Sequence, residues 1–391
     1  MSLYESTVPN FTMSDKWCYR GEGNNSLVIS LPESRHILRI HKIEKPKSIF
    51  QWIIQHIVDF IDWYGGKGLR DEIRDFNFYC KLMRPLIGYT YTSESMVLLL
   101  SRKQIKIFKD YIDQQRPAYR KKKTLQIGRA TLFRDFAFLP RQFDQLEFKG
   151  QTYAVEIKPK QGWRAETERH YPECLFCMNQ YLKLEKEKIQ SRTNYCPEEL
   201  FSGDKTRMTK TLKNLINEPQ NNFRIFKNGS ICYDDKQKNT HIFNEIFDSN
   251  SSREVLIEEF SNFLQTCLTT VIETNENMLN CQCDICLKFK SDNLPRGSVL
   301  DQILSVQKLD QEGTVSIHNK LLEIDKLEDY TFIEKLLVRL CTTNNICSLS
   351  LIVNISRSSK NELIFLPYLV SAIAKDCSLM ITFQKIEEPV R

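Results

Sequence analysis

The sequence predicts an α+β protein with two lobes or two domains, and three observations lead to this expectation. The chain has 391 residues, which is long enough to bury a sizeable core in each of two lobes. Its composition, 41% hydrophobic and 27% charged, is ordinary for a soluble globular protein. Runs typical of β-strands and runs with helical periodicity both occur along the chain, without a visible internal repeat.

The first third of the chain predicts a β-hairpin, another strand and a helix. Strands at Trp17–Arg20 and Leu27–Ser30 flank a turn rich in glycine and asparagine, and a further β-type run follows at His36–Ile40. An amphipathic helix at Phe50–Tyr64 ends at two glycines. The apolar stretch Ala130–Leu139 predicts a strand followed by a connector between the lobes.

The remainder of the chain alternates predicted helices with loops, after a β-type run at Gln151–Val155 and before a last strand at Cys377–Phe383. The predicted helices are Pro172–Leu184, a helix through Met208 and Ile216, a helix opened by a capping box at Ser251–Glu254, Val299–Leu309, Thr331–Leu340 and Pro367–Ala374. The predicted irregular segments are a turn at Tyr195–Gly203, a loop from Pro219 that enters a short strand, a surface excursion at Lys236–Asn250 and a loop at Asn280–Arg296.

Charge and cysteine content restrict the class of protein. The formal net charge of +6 is too small to indicate nucleic-acid binding and is compatible with any anionic ligand. The 13 cysteines show no disulfide framework, the N-terminus is polar, and no apolar run approaches the length of a membrane span. We therefore expect a reduced protein of the nucleus or the cytoplasm, without a membrane segment, and a monomer.

The segment Glu156-Ile157-Lys158-Pro159-Lys160 is the most informative motif. It carries one carboxylate and two ammonium groups at alternate positions, which on a strand would project from one face. Pro159 restricts the run to an edge strand or to the end of a strand. A charged face of this kind suits the binding of polyphosphate, and the alternative interpretation is a solvated edge strand with a pair of lysines.

Other groups suited to phosphate each have an ordinary structural interpretation as well. The turn formed by Gly21, Glu22, Gly23 and Asn24 could lay backbone N–H groups over nucleotide phosphates, or could be a tight hairpin turn. Arg39, on the following strand, would reach the same phosphates. Asn221, Asn222 and Arg224 could clamp phosphate oxygens, or could cap a turn.

Two charged residues near predicted helix ends also have two interpretations. Asp376 could accept a proton from a substrate hydroxyl, or could be an ordinary residue of a turn at the end of a helix. Lys183 would by itself be a solvated charge. The basic run Arg120-Lys121-Lys122-Lys123 could bind nucleic acid, but no stacking aromatic residues are interleaved with it, and we interpret it as a solvated face.

Two groups of cysteines are candidate metal ligands. Cys281, Cys283 and Cys286 could bind zinc with a fourth ligand from elsewhere, for example His318. Because a structural zinc motif normally shows its fourth ligand at a regular spacing, we favour the interpretation without zinc. Cys174 and Cys177 lie at helical spacing, and we interpret them as a half-buried pair rather than as a metal site.

The chain resembles the inositol-pentakisphosphate 2-kinase family. The motifs that carry the resemblance follow the order of the family from near the N-terminus to near the last residue. The most specific are Glu156–Lys160 and Gln220–Arg224, and the others are Tyr19–Asn24, Gln115–Arg120, Cys177–Lys183, Leu200–Gly203, Val306–Asp310 and Ala374–Ser378.

The resemblance implies a two-lobed inositol-phosphate-kinase fold, distantly like a protein kinase, with lobes at residues 1–137 and 138–391 and ATP bound between them. It implies magnesium-assisted transfer of the γ-phosphate of ATP to the 2-hydroxyl of inositol 1,3,4,5,6-pentakisphosphate, which gives the hexakisphosphate, phytate. Asp376 would be the base, with Lys158 at the site of transfer. The implied ATP contacts are Gly21, Glu22, Gly23, Asn24, Arg39, Arg120, Glu156 and Lys158, and the implied substrate contacts are Lys160, Lys183, Asn221, Asn222 and Arg224.

The sequence departs from the family pattern in three respects that matter for function. The lysine- and arginine-bearing segment that many members carry after Ile40 is only partly matched, by Lys42, Lys45 and Lys47. Asn179 stands where the family usually has histidine, which alters one phosphate contact. The family continues beyond the strand after Asp376 to a segment that supplies a magnesium-binding aspartate, and Arg391 precedes that segment. We therefore expect a C-terminally shortened member, and the alternative function is a catalytically impaired protein that binds inositol phosphates.

Overall fold

A computed structural model describes residues 11–12, 16–45, 76–145, 149–272, 283–289, 291–323, 348–358 and 365–386. Over these residues the chain is a mixture of α and β structure, as the sequence predicts. The chain divides into two compact units, one formed by residues 1–82 and 93–135 and the other by residues 83–92 and 136–391. In the described part of the chain, no helix combines the length and apolar character needed to cross a membrane.

The described strands and helices follow one another along the chain. The strands are β1 Cys18–Glu22, β2 Ser26–Leu31, β3 His36–Glu44, β4 Ser95–Leu100, β5 Lys123–Arg134, β6 Lys149–Ile157, β7 Phe223–Lys227, β8 Ser230–Tyr233 and β9 Leu379–Ile386. The helices are α1 Arg84–Ile87, α2 Arg102–Ile112, α3 Leu175–Glu185, α4 Pro197–Leu200, α5 Lys205–Asn217, α6 His241–Phe247, α7 Arg253–Thr269, α8 Asp284–Phe289, α9 Val299–Gln307, α10 Thr314–Glu323, α11 Ser348–Ser358 and α12 Leu366–Lys375.

The first unit is built on a five-stranded sheet in the order β1-β2-β3-β5-β4, with antiparallel neighbours. Helix α2 begins at a capping box in which Ser101 and Gln104 bond each other's backbone N–H groups. Its buried residues Ile105, Phe108 and Ile112 recur at helical spacing and pack in one core with apolar residues of the sheet. The predicted hairpin and the strand at His36 are confirmed.

Three features of the first unit differ from the sequence analysis or extend it. Strand β5 begins earlier than expected and ends at Arg134, so the predicted connector follows from there. Strand β4 and helix α2 were not predicted. The predicted helix Phe50–Tyr64 lies outside the described residues.

The second unit contains a four-stranded sheet in the order β8-β7-β6-β9, and each neighbouring pair is antiparallel. Strand β6 therefore lies inside the sheet, so Pro159 follows the end of an inner strand and the edge-strand alternative is wrong. The sheet and helices α5 and α7 share one core, which includes Tyr153, Leu212, Phe260 and Leu264. Burial of these large side chains is the main stabilising contribution that the sheet receives from the helices.

Most helices predicted in the second unit are confirmed with small shifts of their ends, as are β6 and β9.

Helix α7 is also present, but its N-cap is Ser252 and no side-chain capping bond forms, so the predicted capping box is wrong. The surface excursion at Lys236–Asn250 is wrong too, because α6 buries Ile242 and Phe243. Helix α4 replaces part of the predicted turn, and α8 replaces part of the predicted loop at Asn280–Arg296. Helices α10 and α11 were not predicted, and Thr331–Leu340 lies outside the described residues.

Candidate active site

The glycine turn of the first unit is fixed by a buried cluster of charges. Strand β1 ends and strand β2 begins at the turn, and Gly23 N–H donates to the carbonyl of Ser26 at 2.9 Å. The carboxylate of Glu22 accepts hydrogen bonds from Arg116 at 2.9 and 3.0 Å and from Lys42 at 2.6 Å. These three side chains are each 1% exposed. Glu22 therefore points into the protein and anchors the turn.

The same charges determine the pKa of Glu22. Burial raises it, but the hydrogen bonds from Arg116 and Lys42 outweigh burial, and the pKa is lowered overall. Arg116, which precedes the basic run Arg120–Lys123, is itself buried and cannot extend that run into a larger solvated face. Sequence reasoning missed this cluster because its members come from separate segments.

Arg39 and Arg120 lie near the turn in different ways. The Nε of Arg39 donates to Ser26 Oγ at 3.0 Å, which holds its guanidinium at the base of the turn. The carbonyl of Arg120 accepts a hydrogen bond from Arg116 at 2.8 Å, and its guanidinium lies over the ring of Tyr119 at 5.1 Å. Arg39 therefore contacts the turn at Gly21–Asn24 directly. Arg120 is connected to the turn only through Arg116, which binds both the Arg120 carbonyl and Glu22.

In the second unit, the motif at Glu156–Lys160 lies where β6 ends. The strand stops at Ile157, so the alternation expected for 156, 158 and 160 does not extend beyond Glu156. The N–H of Lys158 donates to the carbonyl of Asn222 at 2.9 Å, and Lys160 adopts a left-handed backbone with φ of 61°. For a residue other than glycine this conformation is costly, and it indicates that the surroundings hold Lys160 in place.

The motif is surrounded by charged and polar groups from distant parts of the sequence. Arg224 on β7 pairs with Glu156 on β6, with Nη1 and Oε2 separated by 3.2 Å. Ser378 donates to the other oxygen of Glu156 at 3.1 Å. Burial lowers the pKa of Lys158, and Arg224 and Lys160 add to this lowering, while Glu156 opposes it.

Lys160 meets Asp376 at the end of helix α12. Its Nζ lies 2.7 Å from Asp376 Oδ1. Helix α12 ends beside the motif because β9, which follows it, pairs with β6 in a register that places Leu379 opposite Ile157. Lys183 on α3 belongs to the same electrostatic neighbourhood, since burial lowers its pKa and the positive charges of Lys160 and Lys188 lower it further.

The two predicted asparagines have different environments. Asn221 is exposed, whereas Asn222 is buried and its Oδ1 has no hydrogen-bond partner. Asn222 instead contributes its backbone, because its carbonyl binds Lys158 and its N–H donates to the carbonyl of Pro219 at 2.8 Å. Asn179, the departure from the family pattern, is exposed on α3.

Gln307 is a positioning residue that sequence reasoning missed. Its side chain is fully buried and accepts from Gly162 N–H at 2.8 Å while donating to the carbonyl of Lys160 at 2.9 Å. The same amide donates to the carbonyl of Ala374 at 3.3 Å, near the end of α12. Gln307 therefore ties the loop that carries Lys160 to the helix that presents Asp376. The available signal in the sequence was the position of Gln307 within Val306–Asp310, one of the motifs that carry the family resemblance.

The structure describes only part of the predicted zinc site. Cys281 lies outside the described residues, and nothing is described of the side chain of Cys286. Cys283 lies just before helix α8 and is half-buried.

Taken together, the second unit is a mixed α and β structure that concentrates lysine and arginine side chains beside two acidic groups, Glu156 at the end of β6 and Asp376 at the end of α12. This arrangement suits a ligand with several negative charges. A model of the inositol-pentakisphosphate 2-kinase family matches residues 19–391. The chain belongs to this family.

Individual relatives agree with the family match. An inositol-pentakisphosphate 2-kinase from Danio rerio is 28% identical over 435 residues, which span 95% of this chain and 83% of that protein. The Arabidopsis thaliana protein of the same name is 25% identical over 94% of this chain and 81% of its own length. A Drosophila melanogaster relative is 27% identical over 60% of this chain and 51% of its own length.

Proposed function

We propose that this protein transfers the γ-phosphate of ATP to the 2-hydroxyl of inositol 1,3,4,5,6-pentakisphosphate and so forms the hexakisphosphate. Family membership and the names of the relatives support the reaction. The single observation that supports it most directly is the contact of Lys160 with Asp376 beside Lys158 and Arg224. The kinase-like fold implied by the resemblance is part of the same proposal.

The cationic cluster of the second unit suits the substrate. A pentakisphosphate carries on the order of ten negative charges at neutral pH, since each phosphate is nearly doubly ionised. Lys160, Lys183 and Arg224 would bind substrate phosphates, Arg224 through its planar fork. Asn221 would add an exposed amide donor. Burial lowers the pKa values of Lys158 and Lys183, and neighbouring positive charges lower them further, so a bound anion would favour the charged forms of both lysines.

The glycine turn of the first unit suits the ATP phosphates. A Cβ placed on Gly21 or Gly23 would meet no atom within 4 Å, so the turn borders open space. Backbone N–H groups of Gly21–Asn24 and the guanidinium groups of Arg39 and Arg120 would hold the phosphates there. When bound, Mg²⁺ supplies charge neutralisation on the nucleotide phosphates. Glu22 contributes by anchoring the turn.

The reaction requires a base and careful positioning. Asp376 would accept the proton of the 2-hydroxyl as that oxygen attacks the γ-phosphorus and the bond to the ADP oxygen breaks. Lys158 would stabilise the negative charge of the phosphoryl group in the transition state of its transfer. Gln307 would keep the loop and the helix end in register, since a small displacement of reacting groups is costly in rate.

The test uses the purified chain with ATP, Mg²⁺ and the pentakisphosphate, and resolves the products by anion-exchange chromatography. We expect hexakisphosphate from the wild type and its loss in Lys158→Ala. Lys236→Ala, a change of an exposed lysine in the loop before α6, should leave the product unchanged. Binding of the pentakisphosphate without any transfer, in a folded protein, would contradict the proposal and favour a binding protein instead.

A further inference from the structure

Two consecutive charged residues at the end of helix α12 point to different parts of the second unit. The helix ends at Lys375, and Asp376 follows it. The side chain of Asp376 contacts Lys160 at the candidate site, whereas that of Lys375 turns to Asp310, with 2.7 Å between Nζ and Oδ2. The side chain of Lys375 is 12% exposed and that of Asp310 is 2% exposed. The positive charge nearest to Asp376 in sequence is therefore used inside the protein.

The ion pair of Lys375 with Asp310 is well supplied with further contacts. While Oδ2 of Asp310 accepts from Lys375, Oδ1 accepts from the N–H of Gly313 at 2.8 Å. The ammonium group of Lys375 also lies 5.8 Å from the centre of the Tyr368 ring. A rotation of Lys375 toward the candidate site would leave a buried carboxylate without its cation, which is strongly unfavourable. We therefore expect Lys375 to stay with Asp310 when substrate binds.

The segment that carries Asp310 also contacts the loop after β6. The carbonyl of Asp310 accepts from Trp163 Nε1 at 3.2 Å, and Trp163 lies three residues after Lys160. Gln307, at the end of α9, bonds the carbonyl of Lys160 and the carbonyl of Ala374. The segment from Gln307 to Asp310 is thus bonded both to the loop that carries Lys160 and to the end of α12.

This segment is held on both sides. Before it, the hydroxyl of Ser371 on α12 is buried and donates to the carbonyl of Gln307 at 2.7 Å. After it, the carboxylate of Glu168, a residue 2% exposed, accepts from the N–H of Thr314 at the beginning of α10 at 2.7 Å. A side chain on a segment held in this way can fix the geometry of a neighbouring site.

We propose that Asp310 and Lys375 are positioning residues for the transfer reaction, and that their ion pair fixes the end of α12 and thereby the place of Asp376 relative to Lys160. The inference rests on the proposed function, in which Asp376 is the base. Because the side chain of Asp376 is 80% exposed, packing does little to place it, and its position depends on the backbone that carries it. Lys375 acts through Asp310 and binds no substrate phosphate.

The kinetic test compares two lysines that lie on either side of Asp376. Lys160→Ala removes a phosphate contact, so the KM for the pentakisphosphate should rise. Lys375→Met keeps the length of the side chain without its charge, and kcat should fall about 10- to 100-fold with little change in KM, since a small displacement of a reacting group is costly. Lys375→Arg can still pair with Asp310 and should recover most of the lost kcat. A raised KM with unchanged kcat in Lys375→Met would overturn the proposal.

A double variant separates positioning from stability. Asp310→Asn keeps an acceptor for the N–H of Gly313 but leaves Lys375 buried without a partner, so its denaturant midpoint should fall, as should that of Lys375→Met. The double variant Asp310→Asn/Lys375→Met buries no unpaired charge and should regain much of the midpoint, yet its kcat should stay low because the helix end is no longer held. Recovery of kcat together with stability would overturn the proposal. Lys320→Met, which removes a more exposed pair with Glu312, is the control and should leave kcat unchanged.

Hydrogen exchange of the folded proteins, followed by mass spectrometry, gives a measurement that does not depend on activity. The N–H of Asp376 donates to the carbonyl of Ile373 at 3.2 Å in the last turn of α12. Peptides that cover this turn should exchange faster in Lys375→Met than in the wild type, while peptides of α5 should not change. An active wild type with equal exchange in both proteins would overturn this inference alone, whereas a wild type that forms no hexakisphosphate would contradict the proposed function.

Discussion

Lys160 and Asp376, which are 216 residues apart in sequence, form an ion pair with 2.7 Å between Nζ and Oδ1. The side chain of Lys160 is 23% exposed and that of Asp376 is 80% exposed. A pair with one strongly exposed partner is worth little in stability, so under the proposed function a substrate phosphate would replace the carboxylate at Lys160. The pair would then hold Asp376 beside the substrate site before binding and release it once a phosphate arrives.

The first prediction concerns Asp376 as the base. Asp376→Asn keeps the size of the side chain but cannot accept the proton, so kcat should fall about 10²- to 10⁴-fold. The KM for the pentakisphosphate should not rise, because the amide competes less well than the carboxylate for Lys160. Steady-state kinetics of product formation, together with direct measurement of substrate binding, separates the two effects.

Asp235→Asn is the matched control, since Asp235 is another exposed aspartate of the second unit. It should leave both constants unchanged. Normal turnover in a folded Asp376→Asn protein would show that Asp376 is not the base, and a large rise in KM with unchanged kcat would show that it acts only in binding.

The second prediction concerns the pH dependence of ATP binding through Lys158. Burial lowers the pKa of Lys158 in the free protein, and bound phosphate favours its charged form, so binding should take up a proton at alkaline pH. Affinity should therefore decline as the pH rises through the lowered pKa, below the ordinary value of 10.5. Calorimetric titration with MgATP at about pH 9, in buffers of different ionisation enthalpy, measures the uptake directly.

Lys158→Arg gives the matched comparison because a guanidinium stays charged throughout this range. The variant should show less proton uptake and a flatter pH dependence, even if its absolute affinity is lower. Lys236→Arg should behave as the wild type. Identical uptake by the wild type and Lys158→Arg would rule out Lys158 as the titrating group.

The third prediction concerns Glu22 and the stability of the first unit. Glu22→Gln removes the charge between buried Arg116 and Lys42, and breaking a buried ion pair costs about 3–5 kcal/mol. Arg116 retains Asp113 at 3.1 Å, which places the expected loss at the lower end of that range. The free energy of unfolding at neutral pH, from denaturant titration, is the measurement. Glu33→Gln, which removes an exposed pair with Lys16, should cost about 0–1 kcal/mol.

The same carboxylate gives a pH signature with a defined sign. Its pKa is lower in the folded protein than the ordinary value of 4.5, so its contribution is fully present above that value. The contribution is lost as the pH falls below 4.5 through the lowered folded pKa. The stability difference between wild type and Glu22→Gln should therefore shrink in acid. A difference that stays constant down to the acid transition would disprove the ionised role of Glu22.

The sequence predicted individual elements and motifs better than their contacts. The hairpin at Gly21–Asn24 and the strand before Lys158 were predictable because glycines in a turn and the residue pattern of a strand are both contained in a short stretch of sequence. Helix α6 was missed because its flanks are polar, although Ile242 and Phe243 are buried by tertiary packing. Ile242, Phe243, Ile246 and Phe247 do recur at helical spacing, so the signal was present, but it is confined to one short helix between polar flanks.

Contacts within the candidate site were the least predictable part. The resemblance named Lys160 and Asp376 but gave no reason for them to touch, and the reason is the register of β6 with β9. Gln307 and the Glu22 cluster depend on residues from three separate segments, so no local pattern contains them. The same is true of Cys196, whose sulfur lies within 4.8 Å of those of Cys174 and Cys177.

The last prediction concerns Gly162, the residue that closes the loop after Lys160. A Cβ at this position would overlap the ring of Phe201, which is 4% exposed and packed in the core of the second unit. Gly162→Ala must therefore displace the loop or the ring, and overpacking of this kind costs about 1–3 kcal/mol. Because Gly162 N–H also donates to Gln307, the displacement should move Lys160 and raise the KM for the pentakisphosphate.

Two comparisons make this prediction sharp. Gly23→Ala adds a Cβ that meets no atom within 4 Å, so its unfolding free energy should stay within about 1 kcal/mol of the wild type. Combining Gly162→Ala with Phe201→Leu should cost less than the sum of the two single changes, because the smaller side chain makes room for the methyl group. Strict additivity of the two changes, or a fully stable Gly162→Ala protein, would show that the loop does not need glycine for its contact with Phe201.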